Sequence, residues 1–286
     1  MRLDGRRESR NVRDIRGKGG KATGLGLGGL VIVGVITWLL GGNPLDVLRQ
    51  AGSLEMITGG GQTEYVPTAE EEALAKFSRQ ILAGTEDVWT AEFRRMGLEY
   101  EPPTLVLFTG SVQSACGGAS SSSGPFYCSG DKSVYIDLSF FSTMKQEFGA
   151  AGDFAYAYVI AHEVGHHVQN LLGTLRQAHT AMSQTSQTEA NKISVRLELQ
   201  ADFYAGLWAH YDNEMFNSLE AGDLEEGLEI AARIGDDYLQ KRAQGYAVPE
   251  TFNHGTSAQR ARWLKKGFST GDIDKADTFS SRYNSL

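Results

Sequence analysis

The chain has only two cysteines, little positive charge beyond its first residues, one long uncharged apolar stretch and no internal repeat. Cys116 and Cys128, with eleven residues between them, make no recognised zinc-binding spacing. They flank the Gly/Ser-rich segment 117–125, and an oxidising compartment would pair them and pin a loop that its composition leaves floppy. Residues 1–22 carry eight basic side chains (Arg2, Arg6, Arg7, Arg10, Arg13, Arg16, Lys18, Lys21) against three acids. Subtracting these from totals of 27 and 35 leaves 19 basic against 32 acidic residues, a net charge of −13 for the remainder. A body so acidic is a poor partner for nucleic acid or anionic lipid, so no nucleic-acid partner is expected. With no repeat to divide it, the portion from residue 67 onward reads as one domain large enough for a single core.

The one long apolar stretch lies near the start. Thr23 to Leu40 runs eighteen residues without a charge, about 27 Å as a helix against a hydrocarbon core of ~30 Å. The long basic flank and the lack of an Ala-x-Ala-like site favour an uncleaved anchor over a signal peptide. Gly24 and Gly28 form a small-xxx-small pair, too weak a signal to set an oligomeric state. The expected plan is a basic cytoplasmic segment (1–22), a transmembrane helix (23–41), a linker (42–66) and a soluble domain (67–286). By the positive-inside rule this is a single-pass protein of the cytoplasmic membrane, N-terminus inside, with the domain extracytoplasmic or periplasmic.

Within the domain, periodicity predicts a mainly helical α+β fold with a small sheet. Thr68 and Glu71 form a capping box before a helix at 69–96. Strands are expected at 104–109 and 133–138. Further helices are expected at 140–148, 153–172, 189–210, 223–242 and 258–266, and the polar tail from Ser269 reads as loosely packed.

Histidine is scarce as well, six in all, yet three fall in the run His162-Glu-Val-Gly-His-His167. On a helix His162 and His166 stack on one face, where two neutral imidazoles can close on one zinc ion. Glu163, one step round, can reach a water at an open coordination position. The apolar run 154–161 marks this helix as buried, so its polar groups need partners. Glu198 and Asp202, four apart on the next long helix, suggest a carboxylate ligand and an acceptor for a ligand histidine's N–H. His179 and His210 compete for the third position, but one lies in a polar connector and the other at a helix end. His167 points away from the pair and reads as structural.

H-E-x-x-H followed by E-x-x-x-D resembles the gluzincin metallopeptidases. The fuller set resembles the bacterial "putative neutral zinc metallopeptidase" family: the basic N-terminus with one span, Gly124-Pro-Phe-Tyr-Cys128, Val134-Tyr-Ile-Asp-Leu138, His162–His167, Glu198–Asp202 and His254-Gly-Thr-Ser257. Relatives often carry cysteine where this chain has Phe203, a difference that bears on packing and not on ligands. The resemblance implies a peptidase-like fold and zinc, and leaves the substrate open.

The chemistry expected of such a centre is peptide-bond hydrolysis. One zinc ion lowers the pKa of its water to about 7, and Glu163 acts as general base. A further donor stabilises the oxyanion, with His254 as candidate and Tyr204, Tyr211 and Tyr246 as alternatives. A peptide or protein substrate could add as a strand beside 104–109 or 133–138. The rival reading is a catalytically inactive, zinc-stabilised envelope adaptor or chaperone-like protein. Retention of Glu163 argues against it, because binding zinc does not require that carboxylate.

Overall fold

The computed structural model describes residues 1–17, 65–149 and 152–286. The expected transmembrane helix at 23–41 and nearly all of the linker lie outside the described residues. Among the described residues no helix is long and apolar enough to cross a membrane.

A four-stranded sheet forms one side of the domain. Its strands are β1 (Val12–Asp14), β2 (Thr104–Phe108), β5 (Phe126–Cys128) and β6 (Ser133–Asp137), in the order β1-β2-β6-β5. β1, β2 and β6 run parallel and β5 is antiparallel to β6. β3 (Ser111–Ser114) and β4 (Gly117–Ser120) make a separate hairpin. The disulfide Cys116–Cys128, twelve positions apart, ties that hairpin to β5, as the compartment argument expected. β2 and β6 are almost wholly buried because each has a strand on both sides. Neither is therefore the open edge for a substrate strand that the sequence suggested; the edges are β1 and β5.

The helices are α1 (Ala69–Arg95), α2 (Ser139–Phe148), α3 (Asp153–Leu171), α4 (Thr174–Met182), α5 (Gln187–Phe216), α6 (Asp223–Arg233), α7 (Asp236–Gln244) and α8 (Ser257–Thr270). The capping box of α1 forms as predicted: the Thr68 hydroxyl accepts from Glu71 N–H at 3.1 Å and the Glu71 carboxylate accepts from Thr68 N–H at 2.7 Å. α3 and α5 are the central pair, and α1, α6 and α8 pack around them over a core that includes Trp89, Phe93, Phe154, Trp208 and Trp263.

Three glycines set how closely these helices approach. A Cβ on Gly165 would meet Ala201 O at 3.0 Å, so α3 lies directly against α5 beside both halves of the motif. Gly206 and Gly267 face each other's helices, with added Cβ atoms 2.1 Å from Leu264 O and 2.0 Å from Phe203 O. α5 and α8 therefore touch backbone to backbone, a contact that any side chain would force apart.

Three expectations need correction. The predicted helix 223–242 is two helices, broken at Ile234-Gly235. Gly235 packs so tightly on Ser257 that a Cβ would lie 2.3 Å from Ser257 N, and the break turns Asp236 toward the loop 253–255. The tail from Ser269 is not loose: Ala276, Thr278 and Leu286 are buried, and Arg196 donates to Thr278 O. Residues 1–17 do not stand apart from the domain. They supply β1 and pack along α1, with Arg6 on Asp212 and Ser9 on Glu86.

Candidate metal centre

α3 presents His162, Glu163 and His166, and α5 presents Glu198 and Asp202. Because Gly165 lets the two helices touch, the Glu198 carboxylate sits between both imidazoles: Oε2 is 3.2 Å from His162 Nε2 and Oε1 is 3.4 Å from His166 Nε2. Among the described residues these three are the group whose donor atoms all lie within 4.8 Å of one another. Two donors each about 2.05 Å from a tetrahedral ion stand about 3.3 Å apart. The donor set, two imidazoles and one carboxylate, is the kind that holds catalytic zinc with one position open.

Behind each ligand nitrogen stands a fixed partner. His162 Nδ1 lies 2.9 Å from Asp202 Oδ1, an approach bent from the ideal N–H line. His166 Nδ1 lies 2.9 Å from Gln169 Oε1. Gln169 is itself held, donating to Leu197 O at 2.7 Å and to Gln200 Oε1 at 3.2 Å. With acceptors behind both Nδ1 atoms, both Nε2 atoms face the centre, where a bound metal would take their lone pairs.

Asp202 is buried and more heavily supported than the sequence suggested. Arg260, from α8, donates from Nε to Oδ2 and from Nη2 to Oδ1, each at 2.9 Å. The Tyr158 hydroxyl donates to Oδ1 at 2.6 Å. Arg260 Nη2 also lies 3.8 Å from Glu198 Oε2, so one guanidinium braces both acids of the E-x-x-x-D pair. Burial alone would raise the Asp202 pKa, but Arg260 and His162 together hold it at about 2. Burial likewise opposes charge on His162, and Asp202 and Glu198 overcome it, raising the metal-free imidazole to about 10. Glu198 is kept well below the ordinary carboxylate range: burial opposes this, and His166 and His162 outweigh it.

Glu163 differs from these. No described side chain hydrogen-bonds its carboxylate. Burial raises its pKa, against the lowering influence of His166 and His162. A carboxylate beside the ligands, unclaimed and made more basic by its surroundings, is available for proton transfer.

His254 lies in the loop before α8. Asp236 Oδ2 accepts the backbone N–H groups of Asn253, His254 and Gly255 at 2.8, 2.7 and 2.9 Å, while Oδ1 lies 3.2 Å from His254 Nδ1. Asp236 is fully buried and His254 is 39% exposed, so the acid builds the loop and the ring is presented to solvent. Burial opposes protonation of His254, but Asp236 and the charge of Glu198 raise its pKa.

The rival residues are engaged elsewhere. His210 bonds Phe268 O, Tyr211 bonds Gly271 O, and Tyr204 stands edge-on to Trp89 in the core. Tyr246 is exposed. His179 is near enough for the His166 charge to lower its pKa, after burial, but it is not among the converging donors. His167 is structural, held by the Tyr127 hydroxyl at 3.0 Å and Glu101 O at 2.7 Å, and burial lowers it to about 4.

Comparison with known proteins settles the family. Residues 1–279 match the family described as "Putative neutral zinc metallopeptidase". The chain belongs to this family. It is 46% identical over 287 residues to "Uncharacterized protein YpfJ" of Escherichia coli K12, covering 98% of this chain and 99% of that protein. It is 45% identical over 192 residues to "Uncharacterized protein Rv2575" of Mycobacterium tuberculosis H37Rv, covering 64% of each. No solved structure matches.

For this zinc-metallopeptidase family member, reading the sequence singled out the three side chains that the structure brings together, His162, His166 and Glu198, but missed Arg260, Tyr158, Gln169 and Asp236. Gln169 carried a usable signal, lying three residues after a ligand histidine on a buried helix. Arg260 and Asp236 sit in different helices far along the chain, and only folding shows which acid or histidine each one meets.

Proposed function

We propose that the protein is a zinc-dependent endopeptidase that hydrolyses peptide bonds outside the cytoplasm. The observation that carries this reading is the contrast at the centre: His162, His166 and Glu198 converge, with acceptors behind both imidazoles, while among the described residues no side chain hydrogen-bonds Glu163 beside them. A purely structural metal site has no use for an unclaimed, burial-raised carboxylate at its rim.

When bound, zinc would acidify a water and polarise the scissile carbonyl. Glu163 takes the proton from that water on its carboxylate and delivers it to the leaving amine. Asp202 and Gln169 hold the two imidazoles in the ligating tautomer. His254, whose pKa Asp236 raises, donates from its ring to the oxyanion of the tetrahedral intermediate. β5 is the sheet edge nearest this chemistry, since Tyr127 reaches His167 and Asn170 on α3. An extended peptide adding alongside β5 would lie by the metal helix, its backbone pairing with Phe126–Cys128.

The site of action rests on the oxidising compartment that keeps Cys116 and Cys128 paired. The test compares Glu163→Gln with the parent for zinc content and for cleavage of a peptide library. Full zinc occupancy with cleavage reduced at least 10³-fold is expected. Equal cleavage in both would remove Glu163 as the base, and a zinc-loaded parent that cleaves nothing would favour the adaptor reading.

A further inference from the structure

We infer that residues 1–17 and the metal-binding domain occupy the same face of any membrane the chain touches. This reverses the sidedness that the positive-inside rule suggested for the N-terminus, and it does not depend on the peptidase reading.

The arm is built into the domain at three levels. β1 pairs in parallel with β2, Val12 opposite Leu105 and Asp14 opposite Leu107, and Ile15 N–H continues the ladder to Leu107 O at 2.9 Å. Farther back, Arg2 N–H donates to Ser218 O at 2.7 Å, while Gln80 of α1 donates to Leu3 O at 3.0 Å. The charges interlock as well. Arg6 lies 2.7 Å from Asp212, a carboxylate only 1% exposed. The buried Glu86 carboxylate accepts from Ser9, Asn11 and Arg7 at 2.5, 2.8 and 2.8 Å, three donors that all come from the arm.

Removing the arm would leave Asp212 and Glu86 buried without those partners and strip β2 of its outer neighbour. Buried carboxylates left without their cations are strongly destabilising. Docking also neutralises the charges that a topology rule counts. Arg2, Arg6, Arg7 and Arg16 are matched by Glu220, Asp212, Glu86, Asp87 and Glu72 of the domain, so they do not act as a free positive flank.

Where the arm ends, the domain resumes. A Cβ on Gly17 would lie 2.3 Å from Tyr65 Cβ, so the two ends of the 47-residue stretch 18–64 are in contact. One complete crossing would hold those ends at least the ~30 Å hydrocarbon thickness apart. Contact and a single crossing are incompatible.

The test uses the full-length chain in cells, with one reporter cysteine at a time. Arg10→Cys reports the arm and Leu98→Cys the domain; both positions are exposed, and the native cysteines are paired. A membrane-impermeant maleimide is applied to intact cells and to inverted membrane vesicles. Thermal unfolding of each variant at the parent's midpoint confirms that the reporter leaves docking undisturbed. Labelling of both positions in the same preparation, and of neither in the other, is expected. Labelling of the arm from one face and the domain from the opposite face would overturn the inference.

Discussion

At the scale of single residues, the candidate centre is shaped by side chains outside its three converging donors. Asp236 is the clearest case. It holds His254 above its ordinary pKa, so the imidazolium is present below about pH 6.5 and persists until pH rises through the raised value. The same pairing adds stability over that range and loses it above. Asp236→Asn should therefore move the alkaline limb of kcat/KM to lower pH, as a pH–rate profile would show. His254→Ala should cost about 10²–10³ in kcat with little change in zinc content. Arg260 is a buried cation on two acids, and Arg260→Met should destabilise the fold by about 3–5 kcal/mol in urea denaturation. The double variant Asp202→Asn/Arg260→Met should recover much of that loss, because neither charge is then stranded. These roles were illegible in the sequence, where Arg260 is one arginine among many on an amphipathic helix and Asp236 is one of two adjacent acids. His162 with His166, and Glu198 with Asp202, were legible because helical spacing puts each pair on a shared face, and Glu163 lies one step round from the first.

At the scale of elements, the site depends on helices packed closer than ordinary side chains allow. The α5–α8 contact at Gly206 and Gly267 brings Arg260 to Asp202, and the α3–α5 contact at Gly165 brings Glu198 to the imidazoles. Gly206→Ala would put a methyl 2.1 Å from Leu264 O, in backbone and not in a yielding side chain. It should cost at least about 1–3 kcal/mol in stability and about 10-fold in zinc affinity as Arg260 and Asp202 separate. Calorimetric unfolding and zinc titration would measure the two effects. Most element positions were readable because hydrophobic period and caps are local properties, as Thr68 and Glu71 demonstrate. The break at Gly235 was not, since its cause is the backbone of Ser257, and nothing in the local pattern of 223–242 records that neighbour.

At the scale of the whole molecule, the disulfide joins the β3–β4 hairpin to β5, and β2 and β6 share one core with the helices. The disulfide closes a short loop, so Cys116→Ser/Cys128→Ser should lower stability by about 2–3 kcal/mol in urea. Zinc stoichiometry should stay unchanged; loss of zinc would show that β5 supports the centre through Tyr127 and His167. What the sequence by itself determined is what short-range periodicity encodes: a mainly helical acidic domain, two histidines four residues apart on one helix face, two acids likewise spaced, and two cysteines placed to join. Tertiary structure alone decided that β2 and β6 are interior strands, that the tail is packed, that Arg260 braces Asp202 and Asp236 holds His254, and that the basic arm belongs to the domain's own sheet. The reason is the range of the forces involved. A helix face is set by neighbours within a turn, whereas a buried carboxylate takes its cation from wherever the packed chain delivers one, 206 residues away for Arg6 and Asp212.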